Sequence, residues 1–169
     1  MRATPGVVVL GLDPGLASLG WGVVRREGTR SVYVAHGCVT THGDDGTDHE
    51  RVAALALRLR LLIGLHQPAY VAVERWVCYG QSATTQAHTI GLVLGMVATV
   101  CVETGVPMVA QHRAQDWRHA IGLRATATKA NAQERVQRVL GLAQVPRPQH
   151  AADALAVAVT TVAKGATRR

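Results

Sequence analysis

The first forty residues alternate between short apolar segments and polar turns, a pattern typical of β-strands. Residues 7–12 form a continuous, mostly β-branched segment that stops at the turn beginning with Asp13, as expected for a strand buried on both faces. Residues 21–24 and 31–39 are further apolar segments, and the Gly-containing polar loop between them predicts a hairpin. The chain is therefore predicted to begin with three antiparallel strands.

The next elements are marked by a helix start and by a short strand. Residues 41–49 are a polar loop, in which Thr47 and Glu50 fit a capping box that opens an amphipathic helix. Residues 69–73 are then a fourth short apolar strand, which ends at Glu74.

The remaining pattern is mainly helical. Residues 83–103 predict a helix that is apolar on most sides and is therefore expected to be buried, and residues 106–109 predict a fifth strand. Three further helices are predicted at about residues 113–121, 128–140 and 150–164. The order βββ-α-β-α-β-α-α-α predicts an α/β fold, a mixed sheet flanked by helices, in a single domain over residues 1–169.

Composition agrees with one globular domain. The chain has 169 residues, of which 48% are hydrophobic. The longest apolar segment, residues 90–102, is interrupted by two glycines and a threonine, so no membrane span or membrane partner is predicted. No secretory signal pattern is present. The three cysteines, at positions 38, 78 and 101, form no CxxC pair and are expected to be reduced thiols. Together these features predict a cytoplasmic protein.

Positive charge is concentrated in the last third of the chain. The formal net charge is +7, and residues 1–111 hold eight basic and eight acidic residues. Residues 112–169 hold ten basic and three acidic residues, which accounts for the whole excess. A contiguous basic region indicates a surface for polyanions, although a charge that serves only solubility produces the same asymmetry.

Three carboxylates stand at positions where chemistry is plausible. Asp13 and Glu74 end predicted strands, and Asp153 interrupts the apolar segment 151–157, where a buried carboxylate must be paired or bind a metal. If the two strands are neighbours, their carboxyl ends meet at one edge of the sheet. Clustered carboxylates repel each other unless cations neutralise them, and oxygen ligands favour Mg²⁺ or Mn²⁺. Two such ions roughly 4 Å apart can hydrolyse a phosphodiester.

Three segments of the chain resemble the active-site motifs of the RuvC family of Holliday-junction resolvases. They are Gly-Leu-Asp-Pro-Gly at residues 11–15, Val-Ala-Val-Glu at 71–74 and His-Ala-Ala-Asp-Ala-Leu-Ala at 150–156, in the family's order and spacing. The resemblance covers nearly the whole chain. It implies an RNase H-like fold with about five strands, a homodimer, and Mg²⁺-dependent paired nicking of four-way DNA junctions. A two-fold dimer suits two symmetric cuts.

The resemblance also implies the metal site. Asp13, Glu74 and Asp153 would be ligands of two Mg²⁺ ions per site, with Mn²⁺ as an alternative metal. The family's fourth acidic position falls on His150, a departure that occurs in other members. His150 lies one helical turn before Asp153 and is expected either to ligate a metal or to orient the attacking water.

Candidate DNA contacts follow from the same resemblance. Two basic positions of the family align with Arg118 and Lys129, and Lys129 is also a candidate catalytic residue because a cation near the scissile phosphate stabilises the transition state. Arg75, Trp76 and Tyr79 lie in the loop after the glutamate, and either aromatic could stack on an unpaired base. The third residue after the glutamate, often aromatic in the family, is a valine here, so neither aromatic is assigned as a wedge. Branch-migration proteins are candidate partners.

Other functions remain open at this stage. Another RNase H-like nuclease, acting on branched DNA or RNA, would share the metal chemistry and differ in its loops. An actin-like ATPase or sugar kinase shares the Gly-x-Asp-x-Gly turn but needs a second phosphate loop and a longer chain. A non-catalytic DNA-binding domain fits the basic region but leaves Asp153 unexplained.

Overall fold

One mixed sheet organises the computed structural model, which describes residues 6–76, 83–124 and 126–165. Its strands among these residues are β1 (Val7–Asp13), β2 (Ser18–Glu27), β3 (Arg30–Thr40), β4 (Tyr70–Arg75) and β5 (Met108–Arg113). They are arranged in the order β3-β2-β1-β4-β5. The three strands β1, β2 and β3 are antiparallel, whereas β4 runs parallel to both β1 and β5. The predicted meander followed by parallel strands is confirmed.

Helices cover both faces of the sheet. They are α1 (Asp48–His66), α2 (Ala83–Thr104), α3 (Ala114–Ala120), α4 (Lys129–Leu140) and α5 (Gln149–Ala163), and a short 3₁₀ turn, Gly43–Asp45, precedes α1. Because successive side chains of a strand point to opposite faces, Leu10 packs with α1 and α2 and Val9 packs with α3, α4 and α5. The predicted capping box is confirmed: Thr47 and Glu50 bond reciprocally at the start of α1.

Two glycines allow α5 to lie directly on the sheet. A Cβ atom at Gly11 would stand 2.1 Å from the carbonyl oxygen of Ala154, and one at Gly20 would stand 2.1 Å from that of His150. No side chain fits at either position without moving the helix. The glycines of β1 and β2 therefore bring the first turns of α5, which include Asp153, up to the end of β1.

The structure corrects the expectation that α2 is buried. Only 28% of the segment Gln86–Thr104 is buried, and Val102 on its outer face is 83% exposed. This segment has a mean hydropathy of 1.5 and is long and apolar enough to cross a membrane, so the prediction that no segment has this character was also wrong. One such helix is weak support for a membrane protein. The glycines break the run of large side chains without making the helix polar.

Smaller differences concern an edge strand and the cysteines. Strand β5 extends to Arg113, beyond the predicted residues 106–109, because an edge strand tolerates the polar residues that end it. Cys38 and Cys101 are free thiols, as expected, and Cys78 lies outside the described residues.

Candidate active site

Asp13 and Glu74 end adjacent parallel strands. In the pairing of β1 with β4, Leu12 lies opposite Val73, so the next residue of each strand is one of the two carboxylates. The expected juxtaposition at the carboxyl edge of the sheet is therefore confirmed.

Asp153 completes a cluster of three carboxylates. One oxygen from each of Asp13, Glu74 and Asp153 lies within 4.8 Å of the others, and all three residues are half-buried. Helix α5 carries Asp153 on a segment with eleven buried residues, and the Gln149 side chain donates a hydrogen bond of 3.2 Å to its Oδ2. Three chain segments far apart in sequence thus converge on one point.

The electrostatics of the cluster favour protonation in the absence of a cation. Burial, then the charges of Asp13 and Asp153, raise the pKa of Glu74 to about 8. Burial, then the charge of Asp13, raises the pKa of Asp153 to about 6. All three groups cannot easily be ionised together at neutral pH. A bound divalent cation would remove this obstacle.

The donor set suits a hard divalent metal ion. It consists of carboxylate oxygens, which Mg²⁺ and Mn²⁺ prefer, and contains no thiolate. Oxygens on opposite sides of a Mg²⁺ ion are about 4 Å apart, close to the span of the cluster. The residues present therefore fit such an ion.

His150 contacts one member of the cluster. Its Nδ1 lies 2.6 Å from Oδ2 of Asp13, and its side chain is 49% exposed. The hydrogen bond to Asp13 raises the pKa of His150 above its usual value, which favours an imidazolium paired with the carboxylate. The ring thus stands at the solvent side of Asp13, outside the group of three carboxylates.

The two predicted cations lie near the cluster. Lys129 is exposed at the start of α4, and its charge lowers the pKa of His150. Arg118 is half-buried, its charge lowers the pKa of both Glu74 and Asp153, and its guanidinium lies 5.4 Å from the centre of the Trp117 ring. The loop after β4 is only partly described: Arg75 is exposed, Trp76 is half-buried, and Tyr79 lies outside the described residues.

Sequence reasoning missed Trp117. This residue of α3 is 1% exposed, and its indole N–H has no hydrogen bond of standard geometry to any described residue. The indole N–H of Trp117 points to Glu74 as its acceptor, since the indole lowers the pKa of that carboxylate. A tryptophan immediately before Arg118 was the available signal, but a buried aromatic usually reflects core packing.

Comparison with known proteins decides the family. The family model described as "Crossover junction endodeoxyribonuclease RuvC" matches residues 9–161. The chain belongs to the RuvC family. RuvC of Rubrobacter xylanophilus is 39% identical over 152 residues, which cover 90% of this chain and 83% of that relative. The family consists of metal-dependent nucleases with an RNase H-like fold.

Solved structures agree with this assignment. The chain of Thermus thermophilus RuvC in complex with a Holliday junction substrate superposes with a TM-score of 0.81 at 32% identity, covering 95% of this chain and 98% of that one. The yeast mitochondrial Holliday junction resolvase Ydc2 superposes with a TM-score of 0.64 at 13% identity, covering 96% of this chain and 80% of that one. The second match supports the fold alone.

The raised pKa values predict a metal-dependent change of stability with pH. Glu74 and Asp153 have a higher proton affinity in the folded state than in the unfolded chain. Their stabilisation is therefore complete below their unfolded pKa values and is lost as the pH rises to about 8. In EDTA, the melting temperature should fall by about 5 °C between pH 5.5 and pH 8, and saturating Mg²⁺ should reverse this fall.

The Glu74→Gln variant is the control, because it removes the carboxylate whose pKa is raised the most. It should show a flatter profile in EDTA and a smaller effect of Mg²⁺. Burial lowers the pKa of His36 and His112, so these residues make the fold more stable as the pH rises through about 6, opposite to the effect of the carboxylates. Both histidines are present in the parent and in the variant, so their contribution cancels in the comparison. Equal pH profiles for the parent and the variant would contradict the assignment.

Proposed function

We propose that this protein resolves Holliday junctions by paired, Mg²⁺-dependent hydrolysis of two phosphodiester bonds. The observation that carries the proposal is the convergence of Asp13, Glu74 and Asp153 at the carboxyl edge of the sheet. Membership of the RuvC family supports the reaction class, and a solved structure contains the Thermus thermophilus relative in complex with a Holliday junction substrate.

The three carboxylates would hold the ions. Two Mg²⁺ ions, or Mn²⁺ in their place, would supply an activated water and stabilisation of the leaving 3′-oxygen. Asp13 and Asp153 carry the negative charge that binds the ions, and Glu74 contributes once its proton is displaced. His150 keeps a proton at its ring, beside Asp13, and in its neutral form can act as a ligand or orient the water.

Basic residues around the carboxylates would contact DNA. Lys129, at the positive end of the α4 dipole, is placed to stabilise charge on the scissile phosphate. Arg118, whose charge lowers the pKa of Glu74 and Asp153, would contact a phosphate beside the cluster. Arg75, Trp76 and Tyr79 would contact the DNA beside the cut, where an aromatic ring can stack on an exposed base.

The exposed face of α2 supports a homodimer. Gly91, Gly95 and Val102 lie about one or two helical turns apart on the side of α2 that faces away from the core. Apart from neighbouring backbone of α2 itself, no described atom lies within 4 Å of a Cβ placed on either glycine, so a second helix could approach closely. An apolar helix with 28% of its residues buried needs cover, and a second copy supplies it while pairing two active sites.

We infer a single cytoplasmic domain, consistent with the soluble DNA-processing enzymes of the family, with branch-migration proteins as candidate partners and no membrane partner.

The proposal is tested by comparing substrates. The protein, with Mg²⁺, is incubated with a mobile four-way junction, a linear duplex, a flap and an RNA–DNA hybrid of matched length. We expect symmetric paired nicks in the junction, at least tenfold faster than in any other substrate. Preferential cleavage of the hybrid or the flap would instead support another RNase H-like activity. Omission of the metal should abolish all cleavage.

A further inference from the structure

A basic concavity lies beside α4, outside the carboxylate cluster. It has a volume of about 460 Å³ and lies between the α3–α4 loop and one face of α4. We define it as the α4 cleft by its charged residues, Arg124, Glu134, Arg135 and Arg138. Neither the family motifs nor the proposed active site uses these four side chains.

The charge of the α4 cleft favours an anion. It contains three arginines and one glutamate, so its formal charge is +2. The glutamate, Glu134, lies 3.3 Å from Arg138, but the two side chains are 50% and 68% exposed. An ion pair this exposed contributes little to stability, so Arg138 can exchange its partner for a phosphate at small cost. Arg124 is also exposed.

One arginine of the α4 cleft is held in place by the fold. The Arg135 side chain is half-buried, and its Nε donates a hydrogen bond to the carbonyl oxygen of Ile121. Its Nη2 lies 2.8 Å from the position of a Cβ on Gly122, whose φ of +78° also favours glycine. The guanidinium is thus fixed above the loop, and a fixed guanidinium loses little conformational entropy when it binds phosphate.

The α4 cleft continues the basic surface that starts at the active site. Lys129 begins α4 near His150, and residues 131, 134, 135 and 138 follow at helical spacing on one face. At 1.5 Å per residue, Arg138 lies about 14 Å along α4 from Lys129. Phosphates of one strand are separated by about 3.4 Å along the axis of a duplex. For a duplex that runs parallel to α4, this distance corresponds to roughly four base-pair steps.

We propose that the α4 cleft binds the phosphodiester backbone of a duplex arm of the junction, roughly four base pairs from the scissile phosphate. The inference rests on the proposed function for the identity of the DNA. The binding itself is electrostatic and independent of sequence, so a linear duplex also engages the cleft.

The test removes two exposed arginines of the α4 cleft. The Arg124→Ala/Arg138→Ala pair is introduced into the Asp13→Asn protein, so that cleavage does not interfere with binding. The matched control is Arg30→Ala/Arg58→Ala, which removes the same charge from exposed positions in the β2–β3 hairpin and on α1. Affinity for the junction and for a 30-base-pair duplex is measured between roughly 50 and 200 mM salt, the range over which phosphate contacts change it most.

The α4 pair should weaken both complexes by about tenfold and reduce the slope of log affinity against log salt by roughly two, one unit per lost phosphate contact. The control should change affinity less than threefold, with an unaltered slope. Equal effects of the two pairs would overturn the α4 cleft as a DNA surface, even if the parent enzyme cleaves junctions normally. Conversely, a parent that binds duplex through the cleft but cleaves no junction would overturn only the proposed function. A parent that binds neither DNA would overturn both.

Discussion

Substitution of Asp13 by asparagine should reduce junction cleavage by roughly 10³-fold or more while leaving junction affinity within about threefold of the parent. Asp13 lies within 4.8 Å of both other carboxylates and also pairs with His150, so it contacts every other acidic member of the cluster and the histidine beside it. The asparagine removes the negative charge that attracts the metal ions but keeps the size of the side chain.

The melting temperature of the Asp13→Asn variant tests whether it is still folded. The charge of Asp13 raises the pKa of both Glu74 and Asp153, so its removal should lower both. In EDTA, relief of this repulsion should raise the melting temperature and loss of the His150 hydrogen bond should lower it, so a cooperative transition near the parent temperature would exclude misfolding as the reason for lost activity. Binding should persist, because the basic residues that contact phosphates are unchanged.

The experiment compares single-turnover cleavage and equilibrium binding on one junction. The matched variant is Asp44→Asn, at an exposed position before α1, which should cleave like the parent. If Asp13→Asn nicked junctions in Mg²⁺ at the parent rate, the assignment of the active site would be wrong.

A substitution in α2 should have a large effect on the assembly of the protein. A Gly95→Arg substitution should convert the proposed dimer to a monomer at micromolar concentration and abolish paired nicking, leaving at most slow single nicks. A large charged side chain at the closest point of two helices prevents their approach and would be buried without a partner. Dissociation is measured by sedimentation or light scattering, and pairing by the fraction of nicked plasmid junctions that become linear.

Gly95 also separates dissociation from unfolding. Apart from neighbouring backbone of α2, a Cβ at this position has no described atom within 4 Å, and arginine is a better helix former than glycine by roughly 0.7 kcal/mol. The variant monomer should therefore fold at least as well as a parent monomer. Leu61→Arg, on the exposed side of α1, is the matched control, since Leu61 is 63% exposed and apolar. If Leu61→Arg dissociated the dimer and Gly95→Arg did not, the interface would lie on α1 instead.

The sequence was sufficient for those parts of the fold that depend on local pattern. A β-branched run, a turn and a capping box placed β1 and α1 close to their observed bounds, because each rests on interactions within a few residues. Asp153 was identified because a charge in an apolar helix conflicts with burial. The sequence left the pairing of β1 with β4 as a condition; given that pairing, the rule that neighbouring parallel strands end at one edge of the sheet brings Asp13 and Glu74 together.

The parts that were missed depend on contacts between distant residues. No local pattern distinguishes a helix that is buried within one chain from a helix such as α2, whose apolar outer face is exposed in the single chain. Trp117 approaches Glu74 because α3 packs against β5 and α5. The contact of His150 with Asp13 requires the close packing of α5, which in turn requires Gly11 and Gly20, and glycines in strands have several possible meanings.

The position of Asp153 on α5 has a consequence for the protein's dynamics. Helix α5 contacts β1, β2, β3 and β4 and is buried for most of its length, so it cannot detach without exposing the core on that side of the sheet. Amide hydrogens of α5 should therefore exchange with solvent only through global opening, whereas loops exchange through local fluctuations. The nuclease centre and the folded core are then lost in a single cooperative event. Cleavage activity can thus serve as a direct reporter of the folded fraction during denaturant unfolding.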